Sequence, residues 1–276
     1  MTPSDSRKAG TVSRERWSTA LTAIEPNRIL VRGYRLDDLM GRVNFGEAIY
    51  LLLTGDLPRP SIGRLVDAML VSFLDHGATP PSTLATRNAA TTGASIRGCV
   101  AAGVLGFGRH YGGDALACRS ALDQGLALTR GGRSAAEAAA QVVQQLVDAN
   151  EIPPPGFGHR YHTTDPRATR LLQMAHELET DHEYVMLLRA LEHALAKHPS
   201  LEGRALPVNI DGAIAAVCGD IGFPPEVADA RLFISRVPGL AAQAQEELAR
   251  QEPMRVVDPT SHHYDGPSER RLPDRR

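Results

Sequence analysis

Aromatic residues are scarce: Phe, Trp and Tyr together make up 5% of the 276 residues, with a single Trp. Large sheets favour aromatic and β-branched side chains, so this scarcity, beside long Ala-rich stretches, points to packed helices. Cysteine is nearly absent too. Cys99, Cys118 and Cys218 are widely separated and show neither metal-ligand nor redox spacing. No apolar run approaches the ~20 residues needed to span a bilayer, and the first residues, MTPSDSRKAGTVSRER, lack the apolar stretch of a secretory signal. Neither sign of charge dominates, since 30 Lys+Arg face 32 Asp+Glu for a formal net charge of −2. A general nucleic-acid binder needs a basic excess. The expectation is a reduced, soluble, cytoplasmic protein with no nucleic-acid and no membrane partner. A hydrophobic content of 42% is ample for a sizeable core in one large domain or two small ones.

What is present is helical periodicity. Ile62, Leu65, Val66, Met69, Leu70, Phe73 and Leu74 recur at i, i+3, i+4 and line one helix face, with Ser61 placed to cap it. A second helix runs from about Ser134 to Asn150 and stops ahead of Pro153-Pro154-Pro155. Others cover roughly Arg167 to Glu179 and Leu187 to His198, a fifth opens after Asp211, a sixth follows Pro224-Pro225, and a seventh runs from Ala241 to Arg250. Arg28 to Leu36, containing Ile29, Leu30 and Val31, is the one place where a short hairpin fits. The fold class is all-α.

Gly and Pro mark polar clusters between these helices, where sites usually form. They are Asp75-His76-Gly77; Gly108 to Asp114; Gly156-Phe157-Gly158-His159-Arg160 with Asp165-Pro166-Arg167; Asn209-Ile210-Asp211-Gly212; and Ser235-Arg236-Val237-Pro238-Gly239. Each alone has an ordinary structural reading: Arg167 as a helix-start ion pair, Asp211 as an N-cap, Gly112-Gly113 as a close approach of two helices. Together they hold His, Asp and several Arg. An Asp in an apolar pocket can exchange protons near neutral pH. A His can polarise a carbonyl, and two Arg can each hold a carboxylate. That set suits carbon–carbon chemistry on a di- or tricarboxylate beside a carbonyl. His110 and the pair His262-His263 lack carboxylate–His spacing, so no metal site is expected.

The order of these clusters resembles the citrate synthase superfamily. VRGYRLDDLMGRVNFGEAIYLLLTGDLP (Val31 to Pro58) is similar to that family's early hairpin-plus-helix segment, and GFGHRYHTTDPR, PVNIDG and SRVPG follow in the family's order, from about Thr19 to Gly266. The resemblance implies an all-helical homodimer with a large domain (16–115 and 212–264), a small domain (116–211) and flexible tails (1–15 and 265–276). It implies that His159 polarises and protonates the oxaloacetate carbonyl, taking the citryl hydroxyl proton in the cleaving direction, and that Asp211 exchanges a proton with the acetyl methyl. It further implies that His76, Arg167 and Arg236 bind substrate, and that backbone around Gly156 and Gly158 contacts CoA. CoA thioester is then a substrate, and no cofactor is tightly bound.

Two departures narrow the resemblance. Where citrate synthases place a thioester-facing His before a Gly-Gly, this chain has Tyr111 before Gly112-Gly113. A tyrosine there implies a possible thioester contact of different geometry. Where the family has an Arg-Pro near the C-terminus, this chain has Asp258-Pro259, and an aspartate repels a carboxylate. Both departures, with the short helix between Pro58 and Asp75, resemble the citryl-CoA lyase branch, including the lyase module of ATP-citrate lyase. The implied function is cleavage of citryl-CoA, or a related 3-hydroxy-3-carboxyacyl-CoA made by another protein, to acetyl-CoA and oxaloacetate. The alternatives are a citrate or 2-methylcitrate synthase, and an inactive binding or regulatory homologue.

Overall fold

A computed structural model of the chain describes residues 18–108, 111–112, 114–225, 230–256, 258–261 and 263–272. The expected N-terminal tail, and His110, Gly113 and His262, lie outside the described residues. Residues 265–272 are exposed and carry neither helix nor strand. The chain forms two compact units, 1–67 and 68–276.

The first unit opens with a three-stranded antiparallel sheet of order β1-β2-β3: β1 (Thr22–Glu25), β2 (Arg28–Val31) and β3 (Tyr34–Arg35). The expected hairpin is β2–β3. The strand β1 went unread because its residues are all exposed and show no alternation. After the short α1 (Leu36–Leu39), α2 (Phe45–Thr54) begins with a reciprocal capping box between Asn44 and Glu47. It ends at Gly55, whose φ of 101° is the left-handed cap glycine tolerates. The next helix, α3 (Pro60–Ser72), starts two residues earlier than expected, so Ser61 sits inside its first turn. The division between the units falls within α3.

The second unit is helical: α4 (Pro81–Thr91), α5 (Ile96–Leu105), α6 (Asp114–Arg130), α7 (Ala135–Asp148), α8 (Pro166–Glu177), α9 (Glu183–Lys197), α10 (Ile210–Asp220) and α11 (Ala230–Arg250). The chain is thus mostly helical, as its composition implies. α10 packs against α6, α8 and α9. Every residue from Gly212 to Cys218 is buried, as an all-round apolar helix requires. At its end the Asp220 carboxylate accepts the backbone N–H groups of His182, Tyr184 and Val185 at 2.8, 2.9 and 3.0 Å, capping α9 from outside. α4, α5 and α11 pack through small residues, with Ala90, Cys99 and Ala244 fully buried.

One expectation is corrected by α11. Ser235 to Gly239 does not separate two helices but lies inside one, with Pro238 in its interior. Pro238 gives up one backbone hydrogen bond. The surrounding turn is anchored instead by side chains: the Ser235 hydroxyl donates to the Leu70 carbonyl, and Arg236 Nε donates to the Phe73 carbonyl at 2.8 Å. A Cβ at position 239 would run into the Leu74 carbonyl oxygen, so glycine is what lets α11 approach that segment. The expected sixth helix after Pro225 and the seventh from Ala241 to Arg250 are thus one helix over its described residues, α11, with 226–229 lying outside the described residues.

Candidate active site

Every sequence-predicted site residue lies in the second unit. His76 follows α3 in a tight turn, where Asp75 accepts the Gly77 N–H at 3.0 Å and both Asp75 oxygens accept from Gln243 Nε2 at 3.2 and 3.1 Å. Burial lowers the His76 pKa below its ordinary value; the positive groups Arg236 and Arg167, with His159, push the same way, while Asp75 opposes. Phe73 joins the two arginines of this field: its carbonyl accepts from Arg236 Nε at 2.8 Å, and its ring centre lies 5.7 Å from the Arg167 guanidinium carbon.

His159 sits on a loop zipped to the segment before α10. Phe157 bridges Val208, Gly158 N–H donates to the Pro207 carbonyl at 2.8 Å, and Asn209 N–H donates to the Gly156 carbonyl at 3.0 Å. The Asn209 side chain joins the two pieces, donating to the Gly158 carbonyl at 3.0 Å while accepting Gly212 N–H at 3.1 Å. Gly156 has φ of 85°, and a Cβ there would come within 2.8 Å of Gly212 Cα and 2.5 Å of Cys118 Sγ. The pair Gly156–Gly212 therefore exists for close backbone approach. This is the structural reason for the glycine in GFGH, whatever ligand the loop also meets.

On this loop His159 Nδ1 accepts the N–H groups of Tyr161 and His162, each at 3.1 Å. A neutral ring with Nδ1 accepting carries its proton on Nε2. Burial, then the neighbouring His162, and also Arg167 lower the His159 pKa, against Asp165. The resting state is a neutral imidazole offering an Nε2–H donor.

Arg167 makes the expected helix-start ion pair. Its Nε and Nη2 meet the two Asp165 oxygens at 3.0 and 2.9 Å, and its backbone N–H donates to the same carboxylate at 3.0 Å. Asp165, 1% exposed, also accepts the Ile210 N–H at 3.0 Å, tying α8 to α10. Burial works against ionising this carboxyl, but the Arg167 hydrogen bonds and charge, with the Arg167 and Ile210 N–H groups, hold its pKa below the ordinary carboxylate value. Asp165 was missed as a site residue. An Asp before Pro-Arg at a helix start was the available signal.

Asp211 is not the cap of α10; Asn209 holds that position, which places Asp211 in the first turn. Cys118 reports its surroundings. Burial, then the charges of Asp211 and Asp114, push that thiol up to about 12, so it is neutral and the Asp211 carboxylate lies near it.

Arg236 differs from Arg167. It is 2% exposed, and among the described residues it has no carboxylate within ion-pair distance. Its guanidinium is held by the Phe73 carbonyl and, at 3.3 Å through Nη1, by the Tyr111 hydroxyl. A buried cation without a protein counter-ion calls for an anionic ligand. Tyr111 stacks on Phe107 with ring centres 5.0 Å apart, and its hydroxyl lies 3.0 Å from Ser82 Oγ. The expected reading of Gly112 as a helix–helix contact is replaced: at φ of 100°, a Cβ there would meet the Phe107 ring at 2.7 Å and Leu232 at 2.9 Å, so glycine permits the aromatic stack. Asp258 is exposed, and its Oδ1 accepts from Thr260 N–H and Oγ1 at 2.8 and 2.7 Å, an end-cap of a one-turn helix at 259–261. No group of three or more metal-ligating side chains occurs among the described residues, and no helix there is long and apolar enough to cross a membrane.

Residues 58–257 match the citrate synthase C-terminal domain. The chain is similar to a citryl-CoA lyase from Hydrogenobacter thermophilus, with 36% identity, 93% of this chain and 97% of that one covered, and a TM-score of 0.83. An ATP citrate lyase from Methanosaeta concilii, solved with (3S)-citryl-CoA, shares the fold at 18% identity and TM-score 0.74, over 98% of this chain and 45% of that one. A citrate synthase-like protein, oryE of Aspergillus oryzae, is 26% identical over 221 residues, 76% of this chain and 47% of its own length. The chain thus spans about half the length of that relative. The chain belongs to the citrate synthase family.

Proposed function

We propose that this chain is an enzyme acting on CoA thioesters, a lyase that cleaves citryl-CoA, or a closely related 3-hydroxy-3-carboxyacyl-CoA, into acetyl-CoA and oxaloacetate. The observation that supports this most is the likeness to the Hydrogenobacter thermophilus lyase along nearly the full length of both chains. In this reading the Arg236 cation, buried and without a carboxylate partner among the described residues, takes a substrate carboxylate, and Arg167, fixed by Asp165 through Nε and Nη2, offers the donors that remain.

His159 works as a neutral donor. With Nδ1 filled by two backbone N–H groups, its Nε2–H supports the oxygen that becomes the oxaloacetate carbonyl, as a neutral imidazole can polarise a carbonyl. This differs from the role implied by the family resemblance, in which His159 takes the hydroxyl proton: with the Nε2–H donating, a water molecule accepts that proton as the carbonyl forms. As the carbon–carbon bond breaks, its electron pair moves onto the thioester as an enolate. Asp211, having first taken a proton from solvent, delivers it to that carbon and gives acetyl-CoA, so the proton taken up there balances the one released from the hydroxyl. CoA lies along the loop 153–160, and the working protein is a cytoplasmic homodimer.

The test follows oxaloacetate release from citryl-CoA through malate dehydrogenase and NADH, with Asp211→Asn beside the wild type. Rapid release that is lost in the variant supports the reading. No release, but CoA liberation from acetyl-CoA plus oxaloacetate, moves the chain to a condensing enzyme. Oxaloacetate binding without turnover in either direction makes it a binding homologue.

A further inference from the structure

The Tyr111 hydroxyl has two hydrogen-bond partners among the described residues. Arg236 Nη1 donates into it at 3.3 Å, and Ser82 Oγ, fully buried, sits 3.0 Å away. The phenol ring is immobilised as well. Gly108 and Tyr111 exchange backbone hydrogen bonds at 3.1 and 2.9 Å, folding the ring onto Phe107 with the planes 6° apart, and Phe233 meets Phe107 edge-on at 5.3 Å. The result is a rigid post whose tip touches the one buried guanidinium in the site that lacks a carboxylate partner among the described residues. Arg236 is thereby held at two corners, Nε by the Phe73 carbonyl and Nη1 by Tyr111, and its remaining N–H groups are left to a ligand.

We propose that Tyr111 serves the reaction through Arg236: braced by Ser82 and the aromatic stack, its hydroxyl fixes the guanidinium that grips a substrate carboxylate, and it is a positioning residue rather than a donor to the thioester. The proposal rests on the reading that the site takes a dicarboxylate such as oxaloacetate. A buried guanidinium that loses one of two fixed partners gains rotamer freedom and must give it up again when the anion arrives, so the loss shows in affinity.

The experiment measures oxaloacetate binding to the full chain by calorimetry for wild type, Tyr111→Phe, Ser82→Ala, Arg236→Lys and the double variant Tyr111→Phe/Arg236→Lys, together with citryl-CoA kinetics. Tyr111→Phe is expected to weaken oxaloacetate binding on the order of tenfold, the size of one charge-assisted hydrogen bond. Its KM for citryl-CoA should rise, with kcat at saturation within about twofold of wild type. Ser82→Ala should move affinity the same way by less. In the Arg236→Lys background the Tyr111 substitution should add nothing, because the partner it acts through is gone. Unchanged oxaloacetate affinity with a lowered kcat overturns the proposal in favour of a thioester contact, and an undiminished effect in the Lys background overturns it as well. A wild type that binds oxaloacetate yet cleaves no citryl-CoA removes the lyase reading alone, and the binding comparison still decides on Tyr111. A wild type that binds neither oxaloacetate nor citrate overturns both.

Discussion

Asp165→Ala strikes the junction on which the site hangs. The carboxylate is 1% exposed and accepts from three different groups: the Arg167 guanidinium, the Arg167 N–H at the start of α8 and the Ile210 N–H at the start of α10. Losing the helix cap costs about 1 kcal/mol. The Ile210 N–H, in the first turn of a buried helix, then has no acceptor, which costs about 1–2 kcal/mol. The ion pair contributes less, about 0.5 kcal/mol, because Arg167 keeps 25% of its side chain in solvent and can turn to water. The sum is about 3 kcal/mol, or a melting temperature lower by roughly 5 °C in a chain of this size. Asp165→Asn keeps one acceptor oxygen and should lose about half as much. The pH dependence carries a definite sign. Because the folded-state pKa of Asp165 lies below its unfolded value, its charge stabilises the fold fully above the ordinary carboxylate range and progressively less as pH falls through the lowered value. Thermal melts followed by circular dichroism from pH 7 down to pH 3 should show the wild type and Asp165→Asn converging as the pH drops. An Asp165→Ala protein that melts with the wild type at pH 7 would refute the reasoning.

Gly156→Ala should fail at the loop itself: the left-handed φ and the contacts with Gly212 and Cys118 leave no room, so a loss of several kcal/mol, read as poor soluble yield and a depressed melting temperature, is expected. Asp220→Ala leaves three N–H groups at the start of α9 without their acceptor; urea unfolding should report about 2 kcal/mol with site chemistry intact. His159 is held below the ordinary histidine pKa, so kcat/KM should stay flat through neutrality and fall only at acidic pH as the ring gains a proton, and an acidic limb centred above the ordinary histidine range would contradict the neutral-donor role. A dicarboxylate bound between Arg167 and Arg236 offsets the positive field that helps to lower the His76 pKa; calorimetry in buffers of different ionisation heat should therefore detect proton uptake on oxaloacetate binding near pH 6 and none near pH 8.

The helices that were legible are those with a contrast to read. α3 and α7 show an apolar stripe on a polar background, and α7 adds the Ser134–Glu137 capping box. α4, α5 and α6 were not read, and their buried faces explain why. α4 buries Ser82, Thr83, Thr86, Arg87 and Thr91, and α5 buries Cys99 and Gly103, so small and polar residues do the packing that periodicity looks for in Leu and Val. The break misplaced within α11 has the opposite cause: a Pro-Gly pair reads locally as a stop, but the carbonyls of Leu70 and Phe73 bind Ser235 and Arg236 and hold the helix through it. The motifs carried the site's polar residues, while their supports stayed hidden. Phe73, Ser82 and Gln243 act through a backbone carbonyl or side-chain hydrogen bonds at long sequence separation, which no spacing rule encodes.

The two arginines show how the site divides its work between rigidity and charge. Arg167 is neutralised by Asp165, and that pair fixes the starts of α8 and α10 at once, so its first function is architectural. Arg236 is buried among a carbonyl, a hydroxyl and an aromatic ring 5.9 Å from its centre, and keeps its charge uncompensated. Holding a cation this way costs folding energy that neutral hydrogen bonds only partly offset. Burial, with the same positive field, disfavours protonation of His76. Under the proposed function a dicarboxylate would compensate that charge and reorder little, because two guanidinium corners are already fixed. In the proposed lyase reaction, ground-state affinity would therefore belong to the arginines, leaving His159 and Asp211, on the paired loop and the first turn of α10, to act on the charge and protons that change as the bond breaks.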